Sequence, residues 1–381
     1  MTSGPSPRGR VLAFALVIAG CAAGIAGYAR HVVRQAKGPT PPAVASATPA
    51  AVAAPAPSIG GVAVAASAPP AASTTPLRTA AAKPTAPAAA RASLMFRDTA
   101  IGPDYGRVTH AWLDDADGPR DVTPLACDRV HFAAGSGICL NADRGALTVY
   151  RAVLFDAHFS PRRSIALAGP PSRARISPDG RKAAFTVFIS GQGYAATFTT
   201  RTSIVDAVTG DGIVDDLESW PVTRDDAPFK AIDFNFWGVT FTPDGRGFYA
   251  TLGSGGKTFL VKGDFASRQL RVVADDVECP SLSPDGRRIG FKRRDSAHPD
   301  GRLVWHVAVL DLASGQVRVL PGEARSVDDQ VEWNGNDELL YAMPLDSLRS
   351  SAEQDVWAIA ADGRSPARRL ARDAYSPAVV R

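Results

Sequence analysis

One phrase recurs three times in this chain and limits what it can fold into: "RISPDGRKAAF" at 175–185, "TFTPDGRGFYA" at 240–250 and "SLSPDGRRIGF" at 281–291. Each is an apolar run, then Ser/Thr-Pro-Asp-Gly, then a second apolar run, the pattern of a β-hairpin. Proline presets φ at about −65° for the first central turn position. The short side chains of Asp179, Asp244 and Asp285 can bond the turn backbone. Gly180, Gly245 and Gly286 can take the positive φ that closes the loop. The three acids are read as turn formers.

A second strand-turn-strand phrase alternates with the first. It starts at 110, 152, 202, 258, 307 and 355, as in "VAVLDLASGQVRVLPG" (307–322). Six copies at this spacing indicate a repeat architecture, and four strands per unit indicate propeller blades. Degenerate copies of the first hairpin at 129–142 and 330–343 bring that type to five. The sixth is split: "AYSPAVVR" (374–381) supplies an inner strand and "SLMFRDT" (93–99) the strand that should follow it. Sharing one blade between the two ends closes a ring without an exposed edge. The expected fold class is all-β: a six-bladed β-propeller over 93–381, closed by pairing of N- and C-terminal strands.

The formal net charge of +4 belongs to the N-terminal part. Residues 1–92 hold eight Lys or Arg and no acid, which leaves 34 basic against 38 acidic residues in 93–381. The domain therefore lacks the basic footprint of a nucleic-acid binder, and no nucleic-acid partner is expected. Residues 1–37 contain an uncharged run, Val11–Ala29, behind Arg8 and Arg10. Nineteen residues of helix span about 28 Å, enough for a hydrocarbon core. The expectation is a single-pass inner-membrane signal anchor with the propeller on the periplasmic or extracellular side. The alternative is a lipoprotein, with "IAGC" (18–21) as the lipobox and Cys21 as the lipidated residue. The basic residues on both sides of the run leave the positive-inside count ambiguous. Residues 38–92 are nearly all Ala, Pro, Ser, Thr, Val and Gly, the composition of a disordered linker.

Cys127 and Cys139 flank one degenerate hairpin and are candidates for a disulfide in an oxidising compartment, with two buried thiols as the alternative. Cys279 has no evident partner. There is no C-x-x-C pair, no zinc spacing, no G-x-S-x-G, no P-loop and no G-x-G-x-x-G after a strand, so no cofactor is expected. "DAVTGDGIVDDLE" (206–218) lacks the residue order of a calcium loop and is read as a turn with a solvated acidic loop.

Inner strands of a propeller run in one direction, so the residues at their starts converge on one mouth. These are Asp128 and Arg129, Arg173 and Arg175, Asp233 and Asn235, Glu278, and then Asp328, Asp329 and Glu332. Mixed carboxylates and arginines around a pore suit a metal, a sugar acid or a peptide terminus. Blade-to-blade ion pairing is the plainer reading of the same residues.

The Ser/Thr-Pro-Asp-Gly-Arg hairpins and the "VLDLASGQVRVL" type resemble the TolB-like six-bladed propellers with their WD-like repeats. The resemblance covers about 93–381. It implies a fold found in periplasmic translocation proteins, beside peptidase domains and in some polysaccharide lyases, and it does not imply one activity. The chain departs from each group. A low-complexity segment stands where TolB has an α/β domain, no hydrolase-type segment follows the propeller, and no channel histidine cluster assembles. A binding or scaffold module for another envelope protein or a small ligand is therefore expected. A metal-assisted hydrolase or lyase using Asp233, Glu278 and Asp328 or Asp329 is the alternative.

Overall fold

The computed structural model describes residues 91–189, 199–295, 303–346 and 350–381. The expected anchor (1–37), the lipobox Cys21 and all but the last two residues of the expected linker (38–92) lie outside the described residues. Within them, no helix is long and apolar enough to cross a membrane.

Six sheets, antiparallel but for one pairing in blade 4, follow one another around a ring. Their inner strands are Ala374–Val380 (blade 1), Arg129–Ala133 (blade 2), Pro171–Ile176 (blade 3), Asn235–Phe241 (blade 4), Glu278–Leu282 (blade 5) and Glu332–Asn334 (blade 6). Blade 1 is the shared one. Its second strand, Ser93–Asp98, pairs antiparallel with Ala374–Val380, from Ser93 opposite Val380 to Asp98 opposite Ala374. Arg91 and Ala92 are already fastened to the same blade. Arg91 bonds Asp114 at 2.7 Å, and the Ala92 carbonyl accepts from the Leu113 amide at 3.0 Å.

The recurring turns form for the reasons the sequence suggests. Asp179 accepts from the Ser177 hydroxyl (2.5 Å) and the Arg181 amide (3.1 Å), and Gly180 sits at φ +71°. Asp244 and Asp285 repeat these bonds with Thr242 and Arg246, and with Ser283 and Arg287. A side chain at Gly180 would also meet the Ala134 carbonyl at 2.7 Å, so the bare glycine lets neighbouring turns approach. The outer hairpins carry their own acid. Asp156, Asp206, Asp264 and Asp311 each end a third strand and accept backbone amides of the turn that follows.

There is no single central core. Alternate residues of each strand point to opposite faces of its blade, so apolar side chains pack between blades in six clusters. Leu94 and Phe96 face blade 6, against Leu340 and Val356. Met95, between them, faces blade 2, against Phe132 and Phe155. The largest cluster joins blades 3 and 4 through Ile204, Trp220, Phe236 and Phe248.

Two local features differ from the sequence reading. Within residues 206–218, Gly212–Val214 is the second strand expected of the phrase starting at 202, but Val214 and Leu217, read as part of a solvated loop, are buried in that largest cluster. Blade 4 also carries an extra hairpin. Val222–Arg224 pairs parallel with Gln269–Asp275 and antiparallel with Ala227–Phe229, which makes that sheet six-stranded. Its turn residues Asp225 and Asp226 sit at φ 50° and 61°, the left-handed geometry of a two-residue hairpin turn.

Cys127 and Cys139 are joined in a disulfide, with Cα atoms 5.3 Å apart, and Cys279 is a buried free thiol. A bridge closing so short a loop contributes about 3 kcal/mol in the chain-entropy model. Replacing both cysteines by serine is expected to lower the midpoint of urea unfolding accordingly. Reductant should do the same to the parent protein and nothing to the double variant. A parent protein indifferent to reductant would show that the bridge adds no stability.

Candidate binding site at the start of the inner strands

Each inner strand begins on one face of the ring, here the start face, and ends on the other, the turn face. The second strand of each blade runs back, so its last residues return to the start face. These two sets surround an open cavity of about 1070 Å³. Inner-strand starts contribute Arg129, Arg173, Glu278 and Tyr375, with Asp128 and Asp328 just before such strands. Second-strand ends contribute Arg97, Arg144, Lys292 and Arg294.

The charges are knitted across blades. Arg129 pairs with Asp329 at 2.7 Å and Arg173 with Asp328 at 3.4 Å, which ties blades 2 and 3 to blade 6. Lys292 reaches Glu278 at 3.5 Å and also bonds Asp328, while Arg294 lies 2.9 Å from Glu278. Arg144 holds Asp128 at 3.1 Å. Glu278 and Asp329 are almost wholly buried, at 3% and 2% exposure. Burial would raise the Asp328 carboxyl, but the Lys292 and Arg173 charges outweigh it and hold the group below its ordinary range. Three cations lie over aromatic faces: Arg97 on Tyr105 (4.7 Å), Arg129 on Tyr375 (4.3 Å) and Lys292 on Trp305 (4.5 Å). Such stacking holds a guanidinium or ammonium in place and leaves its edge available.

Deeper in the channel the packing closes. The Gln330 amide donates to the carbonyls of Val239 (3.1 Å) and Pro280 (2.8 Å). Beside it is a void of about 20 Å³, room for about one water. Below lies a buried trio. Arg175 bonds Glu332, and His131 Nε2 sits 3.5 Å from the same carboxylate. His131 Nδ1 accepts the Ile176 amide at 3.0 Å. His131 Nε2 also lies 2.9 Å from the Arg175 guanidinium, so the ring is wedged between that cation and the Glu332 carboxylate. Burial, and then the Arg175 charge, pushes the imidazole below its usual range. The trio borders a smaller pocket of about 220 Å³ on the turn face, walled by Phe241, Trp333 and the turn prolines.

The residues expected at one mouth are therefore spread over two faces and a plug. Arg173, Glu278 and Asp328 do line the large cavity. Asp329 lies beneath Arg129 and also accepts the Ala342 amide at 3.1 Å. Arg175 and Glu332 belong to the deep trio. Asp233 and Asn235 serve local structure. Asp233 accepts from Ser254 (2.7 Å) and the Gly255 amide (2.6 Å), and Asn235 accepts the Thr200 amide (2.9 Å). The carboxylate set considered for metal-assisted chemistry does not assemble, and among the described residues no group of three or more His, Cys, Asp or Glu could hold a metal ion. Arg97, Arg144, Lys292 and Arg294 were missed. Their signal lay in the second strands: in "RRIGFKRRD" (287–295), Lys292 and Arg294 are two apart, hence on one side and near the end that returns to the start face.

Four-stranded blades, one of them extended by a hairpin, a first blade shared by both ends and Ser/Thr-Pro-Asp-Gly turns define a six-bladed β-propeller, the fold shared with TolB. TolB from Acinetobacter baumannii superposes with a TM-score of 0.53 at 19% identity, over 76% of this chain and 67% of that one. A putative TolB from Agrobacterium tumefaciens gives 0.45 at 12% identity, over 74% and 88%. A chain of the nidogen/laminin complex gives 0.49 at 12%, over 76% and 98%. At these identities the likeness is one of fold. No protein-family model matches the sequence, and no curated protein matches it either.

Proposed function

We propose that this chain is a binding module of a bacterial cell envelope. Residues 1–37 hold it at the inner membrane, 38–92 space it from the bilayer, and the ring of 93–381 offers its start-face cavity to another envelope protein. The uncharged run Val11–Ala29 supports the attachment, and the Cys127–Cys139 bridge suits an oxidising, extracytoplasmic compartment. One observation carries the binding role. A cavity of about 1070 Å³ lies at or above the upper end of small-molecule sites, and it is lined by side chains fixed through ion pairs between blades. Its walls are rigid and its carboxylates are engaged, which suits capture better than proton transfer.

Photo-crosslinking in cells of the source bacterium tests this. A photoreactive phenylalanine analogue replaces Leu303, which lines the cavity, or Val208, which is exposed in an outer hairpin turn on the opposite face. A discrete adduct from position 303 and none from 208 is expected. The same adduct from both, or none from 303, would overturn the reading.

A further inference from the structure

The charge balance of the cavity carries a more specific conclusion. Among the described residues six cations line it, namely Arg97, Arg129, Arg144, Arg173, Lys292 and Arg294, against three carboxylates, Asp128, Glu278 and Asp328. Counting Asp329 beneath Arg129 as a fourth, the wall still keeps an excess of two positive charges. The domain around it has 34 basic and 38 acidic residues, so the cavity is a local reversal of sign. The excess is also placed. The Arg97 guanidinium lies over Tyr105, donates one bond, from Nε to the Cys127 carbonyl (2.8 Å), and pairs with no carboxylate. Among the described residues its terminal amino groups make no hydrogen bond. Arg144, two-thirds exposed, holds Asp128 through one amino group and donates the other to the Ala142 carbonyl at 3.3 Å, a long bond that a carboxylate can replace.

The surroundings distinguish among anions. Ile101, Leu147, Ile232, Leu303 and Leu345 are all strongly exposed, with Ile101, Leu147 and Ile232 near 80%. By topology every one sits in a loop or strand end on the start face. The face thus combines a cationic centre with an aliphatic rim.

From these features we infer that the start-face cavity binds an acidic protein segment, with carboxylates meeting Arg97 and Arg144 at the centre and aliphatic side chains on the rim. Polyanionic sugars satisfy the first condition and leave the aliphatic rim unused. The inference rests on the binding role proposed above and gives it a ligand class.

The test is a titration of the full-length chain in detergent, read by fluorescence anisotropy. The probes are a labelled eight-residue peptide alternating Glu and Leu, the same peptide with Lys for Glu, and a labelled hexagalacturonate. Saturable binding of the acidic peptide alone is expected, weakened at least ten-fold by raising salt from 50 to 500 mM, because the contacts are charge pairs open to solvent. Arg97→Ala should weaken it at least ten-fold. Arg144→Ala, an exposed position whose loss leaves the fold intact, should weaken it several-fold. Absent binding of the acidic peptide, equal binding of the basic one, or tighter binding of hexagalacturonate would overturn the ligand class. If Leu303 still crosslinks a partner in cells in that case, the binding role stands without this chemistry. If it does not, both fail.

Discussion

Deleting residues 374–381 should abolish cooperative folding of the ring rather than trim its end. This strand is the inner strand of blade 1 and pairs along the whole of Ser93–Asp98. Its Ala374 and Ala378 belong to two different clusters, one facing blade 6 and one facing blade 2. Its Ser376 hydroxyl both accepts the Val130 amide (3.1 Å) and donates to the Val130 carbonyl (2.9 Å), which fastens blade 1 to blade 2. Removing it leaves a row of unpaired backbone groups on Ser93–Asp98 and opens two apolar interfaces. At about 1 kcal/mol per backbone hydrogen bond, plus the apolar burial, the loss is on the order of 10 kcal/mol, comparable with the whole stability of a typical domain. Circular dichroism melts would show no sharp transition in the truncated protein at temperatures where the parent is folded. An unchanged melting temperature would mean that closure does not hold the ring together.

The second large effect is expected at Glu332. Glu332→Gln leaves Arg175 buried without its counter-charge, beside the neutral His131. Breaking one side of a buried ion pair costs about 3–5 kcal/mol. The effect carries a pH signature. Burial alone would raise this carboxyl, but Arg175, then His131 and the Val379 amide, bring it down to about 2 from an ordinary 4.5. A carboxyl lowered on folding stabilises fully above its unfolded value and loses that contribution as pH falls through the folded one. A shift of this size corresponds to about 3 kcal/mol. The gap between parent and E332Q should therefore be widest at pH 7 and narrow between pH 4.5 and 2. His131 works on a different limb. Its pKa is depressed on folding, so the unfolded chain gains a proton first, and stability erodes as pH drops below about 6.5. That erosion should appear in both proteins. A constant gap from pH 7 to 3 would show that Glu332 is not held ionised by Arg175.

Much of the ring could be read from residue order because its hairpins are local. Proline, aspartate and glycine fix each turn, and apolar alternation fixes the flanking strands, so turn and strand positions need no knowledge of distant contacts. The split blade was readable because "AYSPAVVR" and "SLMFRDT" each carry one strand of the first hairpin pattern, and the two strands do pair. The extra hairpin of blade 4 was not. Its strands are three residues long, and what holds them is a parallel pairing to Gln269–Asp275 some fifty residues away. The site was half visible for a geometric reason. Arg173 and Arg175 are two apart and share a side, but a strand rises about 3.3 Å per residue. The second arginine therefore lies roughly 7 Å deeper and falls past the plug into the trio with Glu332. Sequence gave no measure of that depth, nor of which charges the returning second strands would bring back to the same opening.

The pairing of Ser93 with Val380 has one more consequence. It puts both points of attachment on the turn face, because the inner strand of blade 1 ends there and the second strand begins there. The ring thus has a handle and a socket on opposite sides, separated by the length of a seven-residue strand, roughly 23 Å. A tag fused at Arg381 would therefore start on the face away from the cavity, and a probe placed there should leave the start face open to titration.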